Sequence, residues 1–174
     1  MKNNSKYILS IILTLAFFVQ SIGVINATAV ENDAYEKMIS IANQEVGYME
    51  TTYSDGTFSS KYGEWYGMPN GSWCAMFVSW CANQAGISTE SIPKFASCNV
   101  GMQWFKNKNL WKEKTQYTPQ SGDLIFLNNC THVGIVEKFE DDIVYTIEGN
   151  ASDSNGENFG VRKKYYASTS SKIF

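Results

Sequence analysis

Residues 73–85 read Trp-Cys-Ala-Met-Phe-Val-Ser-Trp-Cys-Ala-Asn-Gln-Ala, and they are the clearest structural signal in the sequence. This stretch is apolar on nearly every side until Asn83, and Gly86 follows it as a helix-ending signal. A helix that lacks a polar face is buried. The stretch therefore predicts a core helix over Trp73–Ala85, against which the rest of the chain packs.

The segments on either side of this helix differ in their periodicity. Apolar residues at helical spacing predict an earlier helix over residues 31–46 and a short later one over residues 99–106. After Pro119 the β-rich runs are Asp123–Leu127, His132–Phe139, Ile143–Glu148 and Gly160–Tyr166. Helices followed by strands predict an α+β fold, with the core helix packed on a C-terminal antiparallel sheet.

Size and composition restrict the class of protein. The chain has 174 residues, which suits one domain, and no linker, repeat or charge block divides it. Apolar residues make up 44% and charged residues 18%, which argues against disorder. The net charge of −3 argues against a nucleic acid partner, because such proteins need a basic face. We expect a monomer.

The N-terminus predicts secretion. A short basic segment is followed by an apolar run, Tyr7–Val19, and by the small-residue cleavage pattern Ala27-Thr28-Ala29. We expect residues 1–29 to be a cleaved signal peptide and residues 30–174 to form a single domain outside the cytoplasmic membrane. The alternative is an uncleaved membrane anchor. With cleavage, the remaining chain would have no stable membrane insertion.

Four cysteines, Cys74, Cys81, Cys98 and Cys130, leave several interpretations open. Two disulfides are the ordinary interpretation for a secreted chain, and the sequence does not decide among the three pairings. Zinc is a poor interpretation, because the chain has no C-x-x-C pair and a single histidine. The remaining interpretation is that one cysteine is a working thiol.

Cys74 is the strongest candidate for a working thiol, because it lies at the start of the predicted core helix. The positive end of the helix dipole and the unpaired backbone N–H groups there favour the thiolate, which is the nucleophilic form. The same N–H groups can receive an oxyanion. Cys81, seven residues further on, fits a small core residue instead. The alternative for Cys74 is a buried or disulfide-bonded cysteine.

A nucleophilic cysteine needs a base, and His132 is the only histidine in the chain. It opens a predicted strand, where an imidazole can project into a cleft. The alternative is an ordinary surface or core histidine.

The following hairpin predicts which residues orient His132. If Glu140–Asp142 form a three-residue turn, position 132 faces 150 and position 134 faces 148. His132, Glu148 and Asn150 then share one face at one end of the hairpin. Glu148 or Asn150 is predicted to accept the ring N–H and to stabilise the imidazolium. The alternative is a strand that ends in a solvated glutamate.

Several motifs follow one another in a recognisable order. They are Lys61–Gly67 (KYGEWYG), Trp73–Cys81 (WCAMFVSWC), Gly122–Phe126 (GDLIF), His132–Val136 (HVGIV) and Ile147–Asn150 (IEGN). Together they resemble the CHAP family of cysteine- and histidine-dependent amidohydrolases and peptidases, from about residue 34 to residue 150. The resemblance implies a papain-like α+β fold and cleavage of amide bonds in bacterial peptidoglycan.

The resemblance also implies roles for residues at matching positions. Cys74 matches the nucleophile, His132 the general base, Glu148 the acidic orienting residue and Asn150 the polar residue beside it. These are the roles that the residues themselves indicate.

Three aromatic residues, Tyr62, Trp65 and Trp73, are candidates for the wall of the substrate groove, with ordinary core packing as the alternative. Some CHAP members bind calcium through closely spaced aspartates before the cysteine. The matching region here holds only Asp55 and Glu64, so no metal and no other cofactor is expected.

Three functions remain in competition. The first is a secreted, cell-wall-associated peptidoglycan hydrolase, either an N-acetylmuramoyl-L-alanine amidase or a stem-peptide or cross-bridge endopeptidase. The second is an NlpC-type endopeptidase or a transpeptidase, although the NlpC-type pattern usually has a histidine as its third polar residue. The third is a catalytically silent module that binds the wall.

Overall fold

A computed structural model describes residues 33–174, of which Tyr35–Phe174 form one compact unit. In chain order the elements are α1 (residues 33–44), β1 (Thr51–Thr52), β2 (Phe58–Ser59), α2 (Lys61–Tyr66), α3 (Cys74–Ala85), α4 (Cys98–Asn107), β3 (Leu124–Leu127), β4 (His132–Glu140), β5 (Ile143–Ala151) and β6 (Gly160–Ala167). Strands β3 to β6 form an antiparallel sheet in that order, and α3 packs on β4 and β5. The predicted α+β fold is confirmed.

The core helix α3 follows from its apolar sequence. Nine of its 12 residues are buried. Its buried hydroxyl is satisfied, because Ser79 Oγ donates to the carbonyl of Phe95 and accepts the Phe95 N–H, each at 2.9 Å. Gly86 (φ 82°) ends the helix in a left-handed conformation that glycine adopts without strain.

A second glycine sets how closely α3 approaches the sheet. A Cβ atom at Gly149 in β5 would lie 2.5 Å from Cβ of Phe77 in α3. A side chain there would push the helix away from the strand. Gly149 therefore brings the N-terminal turns of α3 close to the strand that carries Glu148.

The β4–β5 hairpin departs from the prediction at its turn and agrees with it nearer the candidate site. The turn has two residues, Asp141 and Asp142, with positive φ angles of 51° and 59°, and not the three predicted. A bulge at Glu137 adds one residue to β4. The two departures cancel, so Ile135 pairs with Ile147 as predicted.

Residues 47–72 contain three short elements, β1, β2 and α2, for which the sequence predicts neither helix nor strand. Helix α2 begins after Ser60, whose Oγ accepts the Gly63 N–H at 3.0 Å, and ends at Gly67 (φ 96°). Only six residues long, α2 gives too short a periodic signal to be recognised in the sequence.

The predicted signal peptide, residues 1–29, lies outside the described residues, and so does the start of the predicted domain of residues 30–174. Both stay predictions. Among the helices of residues 33–174, none has the length and apolar character needed to span a membrane.

Candidate active site

Cys74 is the first residue of α3, and 4% of its surface is exposed. The preceding residue, Trp73, makes no side-chain capping bond to the helix. The N–H groups of the first turn are thus left free of a side-chain cap, and they favour negative charge at this end of α3. The backbone of Val133 also hydrogen-bonds to the sulfur and stabilises its thiolate.

His132 joins Cys74 to Glu148. Its Nε2 lies 2.9 Å from Glu148 Oε2, and its ring also hydrogen-bonds to Cys74. Since Nε2 is occupied by the carboxylate, Nδ1 is the nitrogen left for the thiol. The structure therefore brings these three predicted residues together in one hydrogen-bonded series.

Glu148 is held by further hydroxyl groups that the sequence analysis did not identify. Thr146 Oγ1 donates to Glu148 Oε1 at 2.5 Å, and the Tyr166 hydroxyl donates to Oε2 at 3.2 Å. Only 2% of Glu148 is exposed. A buried carboxylate with three hydrogen-bonding partners has a fixed orientation, which in turn fixes the imidazole.

Cys74 and His132 each stabilise the charged form of the other. A hydrogen bond with Cys98 is the largest cause that lowers the pKa of Cys74. Burial opposes it, but the hydrogen bond and charge of His132 lower the pKa further, so that it lies well below its usual value. Burial is the largest single influence on His132 and lowers its pKa. The hydrogen bonds and charges of Cys74 and Glu148 outweigh it and raise that pKa to about 9. The site therefore favours a thiolate beside an imidazolium.

Asn150, the fourth predicted residue, lies near this series on the wall of a pocket. The pocket has a volume of about 670 Å³, and His132, Glu148 and Asn150 are among its lining residues. His132 thus both contacts the thiol and borders this space, whereas Cys74 is not among the residues that line the pocket.

The same pocket has a basic wall formed by Lys163, Lys164 and Lys172. Lys163 is paired with Glu137 at 2.6 Å, whereas Lys164 Nζ donates to the backbone carbonyl of Ser152 at 2.9 Å. Among the ion pairs of residues 33–174, neither Lys164 nor Lys172 has a carboxylate partner. Two positive charges are therefore available to an anionic group in the pocket.

Two of the three aromatic residues predicted to line a substrate groove are core residues. Neither Tyr62 nor Trp73 has any exposed surface, and their rings stack with centroids 5.1 Å apart. Tyr62 donates its hydroxyl to Glu45 (2.6 Å), and Trp73 donates Nε1 to Glu50 (2.8 Å). The groove prediction is wrong for both, because their polar atoms have partners that allow the rings to be buried.

Trp65, the third, is half-buried on α2, with Lys94 Nζ 4.3 Å from its ring centroid. Its part in substrate binding stays a prediction.

The cysteines do not form the two disulfides that a secreted chain would ordinarily have. All four are free and buried. Cys98 Sγ lies 3.8 Å from Cys74 Sγ, which makes it part of the site. The sequence gives no sign of this contact, because the two cysteines are 24 residues apart and no local pattern places their thiols together.

Within residues 33–174 no group of three or more histidine, cysteine or acidic side chains is arranged to hold a metal ion.

Comparison with known families agrees with this geometry. The family model of the CHAP domain matches residues 64–150, which is half of the chain and includes Cys74, His132 and Glu148. This chain belongs to the CHAP family. CHAP domains are papain-like cysteine- and histidine-dependent amidohydrolases or peptidases, so the resemblance seen in the sequence is confirmed.

Comparisons with individual proteins are less informative than the CHAP match. One solved structure, titled "The crystal structure of Ly7917", aligns with 16% identity and a TM-score of 0.46. The alignment covers 80% of this chain and 60% of that one, so this chain spans less than two thirds of that protein. No curated protein sequence matches this chain.

Proposed function

We propose that this protein is a secreted hydrolase that cleaves amide bonds in bacterial peptidoglycan. The bond is either the one between the glycan and the stem peptide or one within the stem peptide or its cross-bridge. The observation that carries the proposal is the hydrogen-bonded series of Cys74, His132 and Glu148 at the uncapped N-terminus of α3. Family membership gives the class of reaction, and the site supplies the groups that perform it.

The reaction begins with attack by the Cys74 thiolate on the amide carbonyl. The N–H groups of the first turn of α3 stabilise the oxyanion of the tetrahedral intermediate. The His132 imidazolium then protonates the leaving amine, and a thioester to Cys74 remains. His132, now neutral, takes a proton from water, which hydrolyses the thioester and releases the second product.

Glu148 contributes through His132 and not through the substrate. Its carboxylate accepts a hydrogen bond from the Nε2–H group of His132. This bond keeps the ring in the orientation that points its other nitrogen at Cys74. It also raises the pKa of His132, so that the imidazole carries a proton at neutral pH.

The basic pocket supports a substrate that carries carboxylates. Stem peptides of peptidoglycan contain free carboxylates beside the amide bonds that hold them together. Lys164 and Lys172 offer cations to such groups next to His132, in a chain whose net charge is −3. Asn150, on the same wall, is the predicted polar residue that helps to orient the reacting groups.

Secretion is the part of the proposal that depends on the sequence of the first 29 residues. The basic start, apolar run and small-residue cleavage pattern direct the protein across the membrane, to the compartment where peptidoglycan lies. We propose that the protein acts there in association with the cell wall.

The test is mass spectrometry of purified peptidoglycan after digestion by the protein. Cys74→Ala is the inactive control, and Cys81→Ala, in the same helix but seven residues away, is the matched active control. New amino termini identify an endopeptidase, and glycan freed of its peptides identifies an amidase. New cross-links would instead reveal a transpeptidase.

A lack of products from walls of several chemotypes, with Cys74 still reduced, would overturn the proposal. Retained binding to the same walls would then favour the wall-binding module.

A further inference from the structure

The nucleophile candidate has a second thiol as its neighbour. Cys74 begins α3 and Cys98 begins α4, and their sulfur atoms lie 3.8 Å apart. Both residues are buried, with 4% and 7% of their surfaces exposed. The S–S bond of a disulfide is about 2.05 Å long, so the two sulfur atoms need to move together by less than about 2 Å to form one.

The sulfur atoms of Cys74 and Cys98 hold one proton between them, and it lies on Cys98. Their mutual hydrogen bond is the largest cause that lowers the pKa of Cys74 and also the largest that raises the pKa of Cys98. Cys98 therefore stays a thiol and donates its S–H to the Cys74 thiolate. A thiolate is the form that peroxides oxidise, so Cys74 is the one that reacts first.

We propose that Cys98 is a resolving thiol, which traps peroxide-oxidised Cys74 as a reversible Cys74–Cys98 disulfide. The inference does not depend on the identity of the substrate, since it concerns the thiols alone.

The chemistry has two steps. The Cys74 thiolate attacks a peroxide, the O–O bond breaks, and Cys74 becomes a sulfenic acid. The other oxygen takes a proton from the His132 imidazolium and leaves as water or an alcohol. The Cys98 sulfur then attacks the Cys74 sulfur, the S–O bond breaks, and the oxygen leaves as water with the proton from Cys98. Overall, two thiols lose two electrons to one peroxide, and a dithiol reductant returns them by exchange.

The other cysteines are less suited to this reaction. Cys81 lies seven residues along α3 from Cys74, a rise of about 10 Å, and burial raises its pKa well above the usual value. Cys130 affects Cys98 through its charge, and burial also raises its own pKa. The hydrogen bond between Cys74 and Cys98 makes Cys98 the preferred partner.

The arrangement protects the thiol from irreversible damage. A cysteine sulfenic acid that finds no partner is oxidised further to sulfinic acid, which dithiols do not reduce. Disulfide formation with Cys98 stores the nucleophile in a form that a reductant restores.

The experiment treats the purified full chain with about two equivalents of hydrogen peroxide, enough to form a sulfinic acid where no disulfide forms, and then alkylates the free thiols. Before alkylation, the expected change is a mass loss of about 2 Da, since two hydrogens are removed. After alkylation and digestion, a cross-linked peptide pair that contains Cys74 and Cys98 is expected. Dithiothreitol should return Cys74 to its alkylatable form. None of these measurements needs a substrate, so their outcome is independent of the outcome of the peptidoglycan assay.

Cys98→Ser and Cys81→Ala are the matched variants. In peroxide-treated Cys98→Ser, dithiothreitol should no longer return Cys74 to its alkylatable form, as judged against the variant's own untreated sample. Cys74 should instead gain about 32 Da, the mass of the two oxygens of a sulfinic acid. Cys81→Ala should behave as the unmodified chain does. A wild-type disulfide that uses Cys130, or sulfinic acid at Cys74 with Cys98 still free, would overturn the proposal even if Cys98→Ser failed to fold.

Discussion

Glu148 Oε2 lies 2.9 Å from His132 Nε2, although the two residues are 16 positions apart in the chain. The contact exists because β4 and β5 pair in the register that brings both side chains to one end of the hairpin. Burial of Glu148 shields the pair from solvent, which strengthens the interaction. Glu148 thus fixes the orientation of His132 and, together with Cys74, raises its pKa.

Glu148→Gln is expected to lower kcat by about 10²-fold or more, with a smaller change in KM. The amide keeps the shape of the side chain but has no charge to hold the imidazolium. Steady-state kinetics measures the split, and an NMR titration should show the pKa of His132 falling from about 9. The control is Glu140→Gln, since Glu140 is exposed and paired with Lys138. An unchanged kcat would remove Glu148 from the catalytic series.

The dependence of kcat/KM on pH should be bell-shaped. As the pH falls, the Cys74 thiolate gains a proton and the nucleophile is lost. Because the pKa of Cys74 is lowered, this limb lies on the acid side of an ordinary thiol's titration. As the pH rises through about 9, His132 loses the proton that the leaving amine requires.

The profile is measured from about pH 4 to 10, with Glu148→Gln in parallel. The alkaline limb should move to lower pH in the variant, because Glu148 is one of the groups that raise the pKa of His132. An acid limb at the pH of an ordinary thiol's titration, or the lack of an alkaline limb up to about pH 10, would contradict the thiolate–imidazolium pair.

Gly134 is expected to be essential for the position of Glu148. A Cβ atom at Gly134 would lie 2.7 Å from Glu148 Cγ, so Gly134→Ala must displace the carboxylate or the strand. We expect a loss of kcat similar to that of Glu148→Gln, together with about 1–3 kcal/mol less free energy of unfolding. Urea unfolding and the NMR titration of His132 measure the two effects.

Ile135→Val is the control for Gly134→Ala, because Ile135 is buried in the same strand and its cross-strand partner is Ile147, not Glu148. It should lose about 0.5–1.5 kcal/mol of stability through the cavity alone. If Gly134→Ala kept the normal pKa of His132 and a normal kcat, the close approach of Gly134 and Glu148 would have no catalytic consequence.

The sequence predicts the helices and strands that have strong local signals. Helix α3 ends at Ala85 as expected, because Gly86 stops it, and β4 begins at His132 as expected. The prediction that His132 and Glu148 meet is borne out by the geometry, although it assumed a turn of the wrong length. The bulge at Glu137 compensates for that error, and bulges leave no reliable trace in a single sequence.

Long-range packing accounts for what the sequence did not reveal. Tyr62 and Trp73 could equally line a groove or fill a core, and the choice depends on Glu45 and Glu50, which reach them from distant positions. The approach of Cys98 to Cys74 likewise depends on where α4 packs. Composition and periodicity carry no information about such contacts.

Lys164 and Lys172 should contribute to substrate affinity. Replacing both with Gln is expected to raise KM by about two- to fivefold for a muropeptide with free carboxylates. This is the change expected when exposed charge pairs that contribute up to about 1 kcal/mol are lost. The amidated form of the same muropeptide should show little change. Lys138→Gln, which is exposed and paired with Glu140, is the control. Equal effects on both muropeptides would contradict an anion-binding role for the pocket.

Tyr62→Phe should affect stability and leave substrate binding unchanged. The variant loses the 2.6 Å hydrogen bond from the Tyr62 hydroxyl to Glu45. Glu45 keeps its ion pair with Lys61, so the expected loss is about 1–2 kcal/mol in the free energy of unfolding. Urea unfolding measures the loss, and kinetics should give a normal KM because the ring has no exposed surface. Trp65→Ala is the companion variant, since its half-buried ring is still predicted to contact substrate and its loss should raise KM. A raised KM with an unchanged free energy of unfolding in Tyr62→Phe would instead indicate that Tyr62 contacts the substrate.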